Sequence, residues 1–349
     1  MSSQPNQEQQ KSVLVTGANG FISGYLVEEL LNSGYRVVGL DNFSKYGRVQ
    51  KSYDTNPNYT LVEGDAKDTQ LIYDLLDGCQ HLVAGAALIG GISYFHEFAY
   101  DLMAENERIT ASTFDAAIQA HKSKVLEKIT VLSSSMVFES CDVYPTAEGM
   151  QKTSPPPLST YGFQKLAVEY FAQGAHEQYQ LPYTIIRPFN CIGIGEKRAL
   201  CDKEILSGNV SLAMSHVVPD LVQKIAKGQD PLHILGSGQQ VRHYTYGGDL
   251  ARGIRMAMEH PAAINNDFNL STDVSTSVIE LAELIWTKMN PDKPFNYISD
   301  KPFQYDVQKR VPDTKKSQDV LGFTAETSLS DALDEIIPWV VSQVEIGEI

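Results

Sequence analysis

Short apolar runs and longer amphipathic segments alternate along the first half of the chain. The run Val13-Leu14-Val15 ends at Thr16-Gly17, and residues 21–31 then repeat apolar positions at helical intervals. A short apolar run is typical of a buried parallel strand, and the longer period is typical of a helix packed on it. The alternation predicts an α/β fold with a doubly wound parallel sheet. Further strands are predicted at 35–40, 59–62, 82–87, 129–133 and 183–187, and further helices at 71–76, 99–120 and 161–179.

The pattern loosens after the last of these strands. The next segment has no clean period, whereas residues 278–289 and 329–341 again show helical spacing. We therefore predict a disordered tail at 1–11, the doubly wound domain at 12–190, and a smaller C-terminal α/β lobe at 191–349 that returns segments to the first sheet.

The formal net charge of −15 limits what the chain binds. Nucleic-acid polymers and anionic membrane surfaces need clustered Lys and Arg, so both are disfavoured as partners. A small anionic metabolite is compatible with this charge if a few cations are concentrated in one cleft. No His, Cys and Asp cluster has metal-ligand spacing, so no metal is expected. The four cysteines form no CxxC pair and no signal segment is present, which predicts a cytoplasmic protein.

A glycine-rich turn follows the first predicted strand. Gly17 permits a tight turn, and Gly20 lacks a Cβ atom, so the backbone can approach a pyrophosphate closely. The helix that begins at Phe21 and Ile22 offers free N–H groups and a partial positive charge to the same group. Because the turn lies between a strand and a helix, we predict a dinucleotide site that also includes Asn19.

Acidic residues follow two of the later strands. Asp41 closes the second predicted strand, roughly 20 residues after the glycine turn, where an acidic side chain binds a ribose diol. A carboxylate at this place repels a 2′-phosphate, so the predicted cofactor is NAD rather than NADP. Asp65 either accepts a hydrogen bond from the adenine amino group or caps the helix that starts near Asp68.

Tyr161 and Lys165 lie four residues apart, on one face of a predicted helix. A nearby ammonium group stabilises a phenolate, so we expect the pKa of Tyr161 to fall toward the working pH. The phenol can then exchange a proton with a substrate hydroxyl while a hydride moves. The run Ser133-Ser134-Ser135 ends the preceding strand, at the edge where open α/β sheets bind ligands. Together these residues predict one catalytic constellation.

With these motifs, the chain resembles the extended short-chain dehydrogenase/reductases of the nucleotide-sugar epimerase/dehydratase family. The resemblance implies a Rossmann-type sheet with a smaller substrate lobe, NAD as cofactor, and a nucleotide-diphosphate sugar linked to UDP or GDP as substrate. It also implies a homodimer formed through the helices near 99–120 and 161–179. The motifs that carry it are the glycine turn, Asp41, the serine run, Tyr161/Lys165, Arg187-Pro188-Phe189-Asn190, residues 236–242 and residues 310–313.

The resemblance assigns roles to single residues. Ser134 is the expected catalytic hydroxyl, Tyr161 the acid/base, and Lys165 its partner, which also binds the nicotinamide ribose. Gly90 and Gly91 belong to a glycine-rich loop that is expected to approach the sugar closely. The other expected contacts are Asn42, Asp65, Ala66 and Ala86 for the cofactor, and Ser135, Asn190, Val218, Arg242 and Arg310 for the substrate.

The chain departs from the family at the positions that decide the reaction. Family dehydratases place an Asp-Glu pair after the catalytic hydroxyl, decarboxylases a Glu two residues after it, and 3,5-epimerases of GDP-sugars a Cys at that second place. Here these positions hold Ser135 and Met136, and methionine neither gives nor takes a proton. In the turn, Ser23 replaces the usual third glycine and Gly24 follows it, which predicts a slightly looser contact between helix and strand.

The simplest remaining chemistry is C4 epimerisation through a transient 4-keto sugar, with NAD kept bound. A dehydratase or a 3,5-type epimerase stays open as an alternative if another side chain supplies the extra acid/base. A silent NAD-sensing protein is disfavoured because such proteins typically lose the Tyr/Lys pair. The candidates for the extra acid/base are His96, Glu97, Glu139 and Cys141.

Overall fold

A computed structural model describes residues 10–89, 98–197, 204–213, 216–301 and 307–349 of the chain. The strands are β1 (Ser12–Thr16), β2 (Arg36–Asp41), β3 (Tyr59–Glu63), β4 (His81–Ala84), β5 (Lys128–Leu132), β6 (Tyr183–Pro188), β7 (Cys191–Ile192), β8 (Glu204–Ser207), β9 (Val210–Ala213), β10 (Leu232–Leu235), β11 (Val241–Arg242), β12 (Thr245–Tyr246), β13 (Asn266–Leu270), β14 (Thr276–Ser277) and β15 (Tyr297–Asp300). The helices are α1 (Phe21–Asn32), α2 (Thr69–Leu75), α3 (Ala99–Lys122), α4 (Thr160–Tyr179), α5 (Val217–Ala226), α6 (Gly247–Glu259), α7 (Val278–Met289), α8 (Lys315–Leu321) and α9 (Leu329–Glu345).

Seven strands form one parallel sheet at the centre, in the order β13-β6-β5-β4-β1-β2-β3. The chain runs outward from β1 to β3 and then returns to β4 on the other side of β1. The strand order therefore reverses between β1 and β4, and a crevice opens there at the carboxyl ends of the strands. The predicted Rossmann-type α/β fold is confirmed.

Helices cover both faces of this sheet. On one face, α1 and α6 bury Leu26 and Leu250 against Phe268 of β13. On the other face, α2, α3 and α4 bury side chains such as Ile72 and Phe114. All five residues of β1 are buried, because a central parallel strand is covered on both sides.

The predicted strand at 82–87 ends earlier than its apolar run, at Ala84. The amides of Gly85 and Ala86 both donate to Thr16 Oγ1, at 3.2 Å, instead of extending the ladder. The backbone therefore turns over the crevice at this point. The other predicted strands and helices of the first 190 residues end within two residues of the observed bounds.

The C-terminal lobe has its own apolar core. Helices α5, α7 and α9 pack around Trp286, with Leu221 and Leu333 among the buried contacts. The hairpin β8–β9, which the sequence pattern did not reveal, turns at Gly208 and Asn209, and Gly208 has a φ of +60°. Within the described ranges, no helix is long and apolar enough to cross a membrane.

The lobe and the sheet are joined by strand pairing. Strand β13 joins the central sheet by pairing with β6, whereas β12 and β7 pair in a separate two-stranded sheet. The division at residue 190 stays a prediction, and most of the predicted N-terminal tail lies outside the described residues.

Candidate active site

The carboxyl ends of the strands open into a large cavity at the switch point. Its volume is about 600 Å³, and its wall joins the sheet edge to the C-terminal lobe. Open α/β sheets bind ligands at this place, and the size is that of a small-molecule site.

Gly17 forms the tight turn that the sequence predicts. Its φ of +71° lies in the left-handed region, which residues with side chains rarely adopt. Its amide donates to Leu40 O at 2.7 Å. A Cβ atom here would lie 2.9 Å from Ala86 Cα, so the position requires glycine for space as well as for conformation.

The N-terminus of α1 is open toward a ligand. Gly20 is its N-cap residue, and no side chain caps this end of the helix. Gly20, Phe21 and Ile22 all line the cavity. Uncapped amides and the positive end of the helix dipole fit a pyrophosphate, so this chain's residues suit a dinucleotide.

Ser23 stands at the place of the turn's usual third glycine, where a looser contact between helix and strand is predicted. It is buried, and the residue facing it is Gly85. A Cβ atom on Gly85 would lie 3.0 Å from Ser23 Oγ. A glycine after β4 therefore makes the room that the turn's third glycine would otherwise provide.

Asp41 ends β2 at the cavity wall. Its Oδ2 atom accepts from Asn19 N at 2.9 Å, and its Oδ1 atom accepts from Phe43 N at 2.7 Å. These bonds fix the carboxylate beside the glycine turn. Asn19, a predicted cofactor contact, is not part of the wall; its side chain exchanges hydrogen bonds with Val49 N and O, at 2.9 and 2.8 Å.

Asp65 lines the cavity and does not cap a helix. Asp68 is the N-cap of α2 and accepts from Leu71 N at 3.0 Å. Asp65 Oδ1 instead accepts from Lys67 N at 2.9 Å. The capping alternative for Asp65 is therefore wrong, and the adenine contact stays a prediction. Asn42, Ala66 and Ala86 line the same wall.

Ser134, Tyr161 and Lys165 meet at the cavity. Ser134 follows β5, and Tyr161 lies in the first turn of α4. The N-cap of that helix is Ser159, which accepts from Gly162 N at 3.0 Å. The side chains of Ser134 and Tyr161 form a hydrogen bond with each other. The fold thus brings the predicted hydroxyl and the predicted acid/base together.

The pKa of Tyr161 shifts upward, opposite to the direction expected from the nearby Lys165. Burial raises the pKa of Tyr161, and the Ser134 hydrogen bond and the Arg310 charge oppose that rise. Lys165 Nζ instead donates to Leu132 O at 3.0 Å, and burial lowers the pKa of this lysine to about 8. The ammonium group is engaged with β5, and among the described residues Arg310 is the cation whose charge lowers the pKa of Tyr161.

Five predicted substrate residues line the same cavity. Among them, Asn190 adopts a φ of +36°, and its Nδ2 atom is buried without a hydrogen-bond partner in the described part of the chain. An orphan donor in a cavity wall is satisfied when a ligand oxygen reaches it. The five are Ser135, Asn190, Val218, Arg242 and Arg310, whereas Gly90 and Gly91 lie outside the described residues.

Backbone hydrogen bonds place the two cations among these residues, Arg242 and Arg310, in neighbouring segments. Val241 N donates to Gln308 O at 2.9 Å, and Arg310 N donates to Val241 O at 3.1 Å. Arg242 and Arg310 therefore belong to adjacent segments of the chain, and both line the cavity wall. Two guanidinium groups so arranged suit a diphosphate.

Two candidates for an extra acid/base are not positioned for that role. Glu139 Oε2 accepts from Ser159 N at 2.8 Å and from Ser159 Oγ at 2.9 Å, so it holds the start of α4. Cys141 is buried in a cluster with Phe138 and Phe189. Neither side chain belongs to the cavity wall. His96 and Glu97 lie outside the described residues.

The wall also contains charged residues that the sequence did not single out. Most of them come from separate segments, so local spacing connects only two of them. The one readable signal was the spacing of Asp220 and Lys224, one turn apart on α5. These residues are Lys45, Lys67, Glu105, Asp220 and Lys224.

The fold and the site define a Rossmann-type enzyme with a dinucleotide site beside a hydrogen-bonded serine and tyrosine. The chain belongs to the NAD dependent epimerase/dehydratase family, whose model matches residues 13–271. NAD is accordingly its cofactor, as the glycine turn and Asp41 predict. Among the described residues, no group of three His, Cys, Asp or Glu could hold a metal ion.

The descriptions of similar proteins name more than one reaction. A Bacillus subtilis protein described as the uncharacterized UDP-glucose epimerase YtcB is 27% identical over 95% of this chain and 98% of its own. UDP-N-acetyl-alpha-D-glucosaminuronate decarboxylase of Bacillus cytotoxicus is 26% identical over 94% of this chain and 97% of its own. The crystal structure of Thermotoga maritima UDP-glucose 4-epimerase with UDP-glucose has a TM-score of 0.79 and 25% identity, over 95% of this chain and 99% of that one.

Proposed function

We propose that the protein is a nucleotide-sugar epimerase that inverts C4 of the sugar through a transient 4-keto intermediate. The observation that carries this proposal is the hydrogen-bonded Ser134–Tyr161 pair at the cavity wall, with Met136 two residues after Ser134. A pair of this kind moves one proton at one hydroxyl. C4 epimerisation needs no more than that, whereas dehydration and decarboxylation call for a further acid/base.

Each residue has a task in this chemistry. Bound NAD supplies a reversible hydride acceptor. Tyr161 takes the proton of the C4 hydroxyl when the ketone forms and returns it when the alcohol is restored. Through its hydrogen bond to Tyr161, Ser134 orients the phenol oxygen toward the C4 oxygen of the sugar. Lys165 is held to the sheet at Leu132 O, within the same wall.

The substrate is held at its diphosphate while the sugar turns. Arg242 and Arg310 are the cations proposed to bind the two phosphates, and Asn190 donates its orphan amide to an oxygen of the same substrate. A fixed diphosphate lets the keto sugar present its other face to the same hydride source. The similarity to a UDP-glucose epimerase and to the UDP-glucose complex supports UDP as the nucleotide.

The proposal is tested by supplying UDP- and GDP-sugars without added cofactor. We expect interconversion of C4 epimers of a UDP-sugar, because NAD is regenerated in each cycle. In deuterated water the ring should take up no deuterium at carbon, since the hydride never exchanges with solvent. A requirement for stoichiometric NADH or NADPH would indicate a reductase instead. Deuterium at C3 or C5 without loss of water or CO₂ would indicate a 3,5-type epimerase, and loss of water or CO₂ would indicate the lyase reactions.

We also propose that two copies associate through α3 and α4. These helices pack together, and their outer faces form a groove with exposed rings at Phe163, Tyr170 and Phe171. A symmetric partner would cover the groove with the same rings.

Tyr170→Glu is expected to convert the dimer to a monomer in sedimentation or light scattering, because it places a charge in that apolar contact. Tyr100 is an even more exposed tyrosine on α3, at 78% against 59% for Tyr170, and does not line the groove. Tyr100→Glu should therefore leave the mass unchanged. A wild-type protein that is monomeric throughout would refute the interface.

A further inference from the structure

A fully buried ion pair lies directly behind the catalytic residues. Glu169 of α4 and Arg187 of β6 are 1% and 0% exposed. Arg187 Nε and Nη2 donate to the two carboxylate oxygens of Glu169, both at 2.7 Å. Such a bidentate pair is strong and defined in direction.

Glu169 also holds two other segments. Ser133 Oγ donates to Glu169 Oε1 at 2.6 Å, and Gln151 Nε2 donates to Oε2 at 3.2 Å. Arg187 Nη1 in turn pairs with Asp267 of β13 at 2.7 Å. The carboxylate is therefore the point where α4, β6, the end of β5 and the short 3₁₀ helix Met150–Lys152 meet.

Two side chains of α4 bind consecutive residues at the end of β5. Lys165 Nζ is bonded to Leu132 O at 3.0 Å, and Glu169 is bonded to Ser133 Oγ one residue later. Lys165 and Glu169 are one helical turn apart, so both bonds lie on the same face of α4. They fix both the rotation of the helix and its height against the strand.

The bonded parts carry the reacting groups. Ser133 directly precedes Ser134, and Glu169 lies two turns after Tyr161 on the same helix. The Ser134–Tyr161 hydrogen bond spans the same two elements, β5 and α4. A shift of the helix against the strand would therefore misalign that bond first.

We propose that Glu169 is a positioning residue which, through Ser133 and Arg187, sets the Ser134 and Tyr161 hydroxyls in register for proton transfer. The inference rests on the proposed function, because the proton transfer is a step of the proposed epimerisation. Stability alone is a weak explanation for the arrangement, because a buried ion pair gains little over an apolar pair of the same size.

The test removes the link to β5 and leaves the ion pair in place. In Ser133→Ala, Glu169 still binds Arg187 and Gln151, so the fold should persist. We expect kcat to fall about tenfold or more, with KM for the sugar nucleotide nearly unchanged, because small misplacements of catalytic groups are costly. The matched control is Thr130→Val on the same strand. Thr130 Oγ1 is buried and has no hydrogen-bond partner in the described ranges, so kcat should be unaffected.

Two further readouts separate positioning from a structural role. Ser133→Ala should raise the pKa of Tyr161, because the Ser134 bond that lowers it is misaligned. In a Ser134→Ala background, Ser133→Ala should cost much less than it does alone. Equal kcat values for Ser133→Ala and Thr130→Val, or full additivity with Ser134→Ala, would overturn the proposal.

The inference can fail separately from the proposed function. Tyrosinate absorbance, as the difference between each protein and its Tyr161→Phe counterpart, reports the pKa of Tyr161 without turnover. Absence of sugar interconversion would refute the epimerase proposal alone. An unchanged pKa of Tyr161 in Ser133→Ala would refute the positioning role alone.

Discussion

Tyr161→Phe is expected to lower kcat by a factor of about 10³, with KM changed far less. The substitution removes one oxygen atom, the acid/base that hydrogen-bonds to Ser134. The ring is buried against Leu102 and Met136, and phenylalanine keeps those contacts. The fold and NAD content should therefore be retained.

The comparison is made with Tyr100→Phe, which removes a phenol from an exposed place on α3, outside the proposed dimer groove. Single-turnover absorbance of the reduced nicotinamide measures formation of the 4-keto sugar. Steady-state epimer ratios measure the complete inversion. Loss of less than tenfold in kcat for Tyr161→Phe would contradict the assignment of Tyr161 as acid/base.

Six of the seven strands of the doubly wound sheet could be predicted from the apolar pattern, and the edge strand β13 was missed. Strands such as β1 are buried on both sides, so their central residues, here Val13, Leu14 and Val15, are all apolar and the signal is local. The C-terminal lobe could not be predicted in the same way, because elements such as β8 and β9 have four residues each. Elements so short leave too few positions for a period to show.

The candidate site was predictable where a motif fixes the backbone. Gly17 has a left-handed φ and lies against Gly85 and Ala86, so its role follows from its place between strand and helix. The electrostatics of Tyr161 were not predictable, since they depend on Leu132 O, which captures Lys165, and on Arg310, which arrives from a distant segment. Sequence spacing records neither contact.

The same limit applies to the residues behind the site. Arg187 was noted only as part of a family motif, and Glu169 was not noted at all. A helical glutamate four residues after a lysine looks like an exposed ion pair in sequence. Only the packing of α4 on β6 shows that Glu169 turns inward and meets Arg187.

Arg187→Met is expected to lower the free energy of unfolding by about 3–5 kcal/mol. Burial alone would lower the pKa of the Arg187 guanidinium, but Glu169 and Asp267 outweigh it and raise that pKa. Methionine fills a similar volume, yet it leaves both carboxylates without their shared cation. Asp267 retains Lys316, at 2.8 Å, whereas the Glu169 carboxylate keeps only neutral donors.

Urea unfolding, with m-values compared to detect a change in mechanism, measures this loss. Arg108→Met is the control, because Arg108 forms an exposed ion pair with Glu105 whose removal should cost less than about 1 kcal/mol. Adding Glu169→Leu to Arg187→Met should recover much of the lost stability, since the buried and unpaired carboxylate of Glu169 is then removed. That double variant should still be slow, because Ser133 loses its acceptor and the register of Ser134 with Tyr161 is no longer held. A double variant that regains both stability and wild-type kcat would show that the pair serves neither purpose.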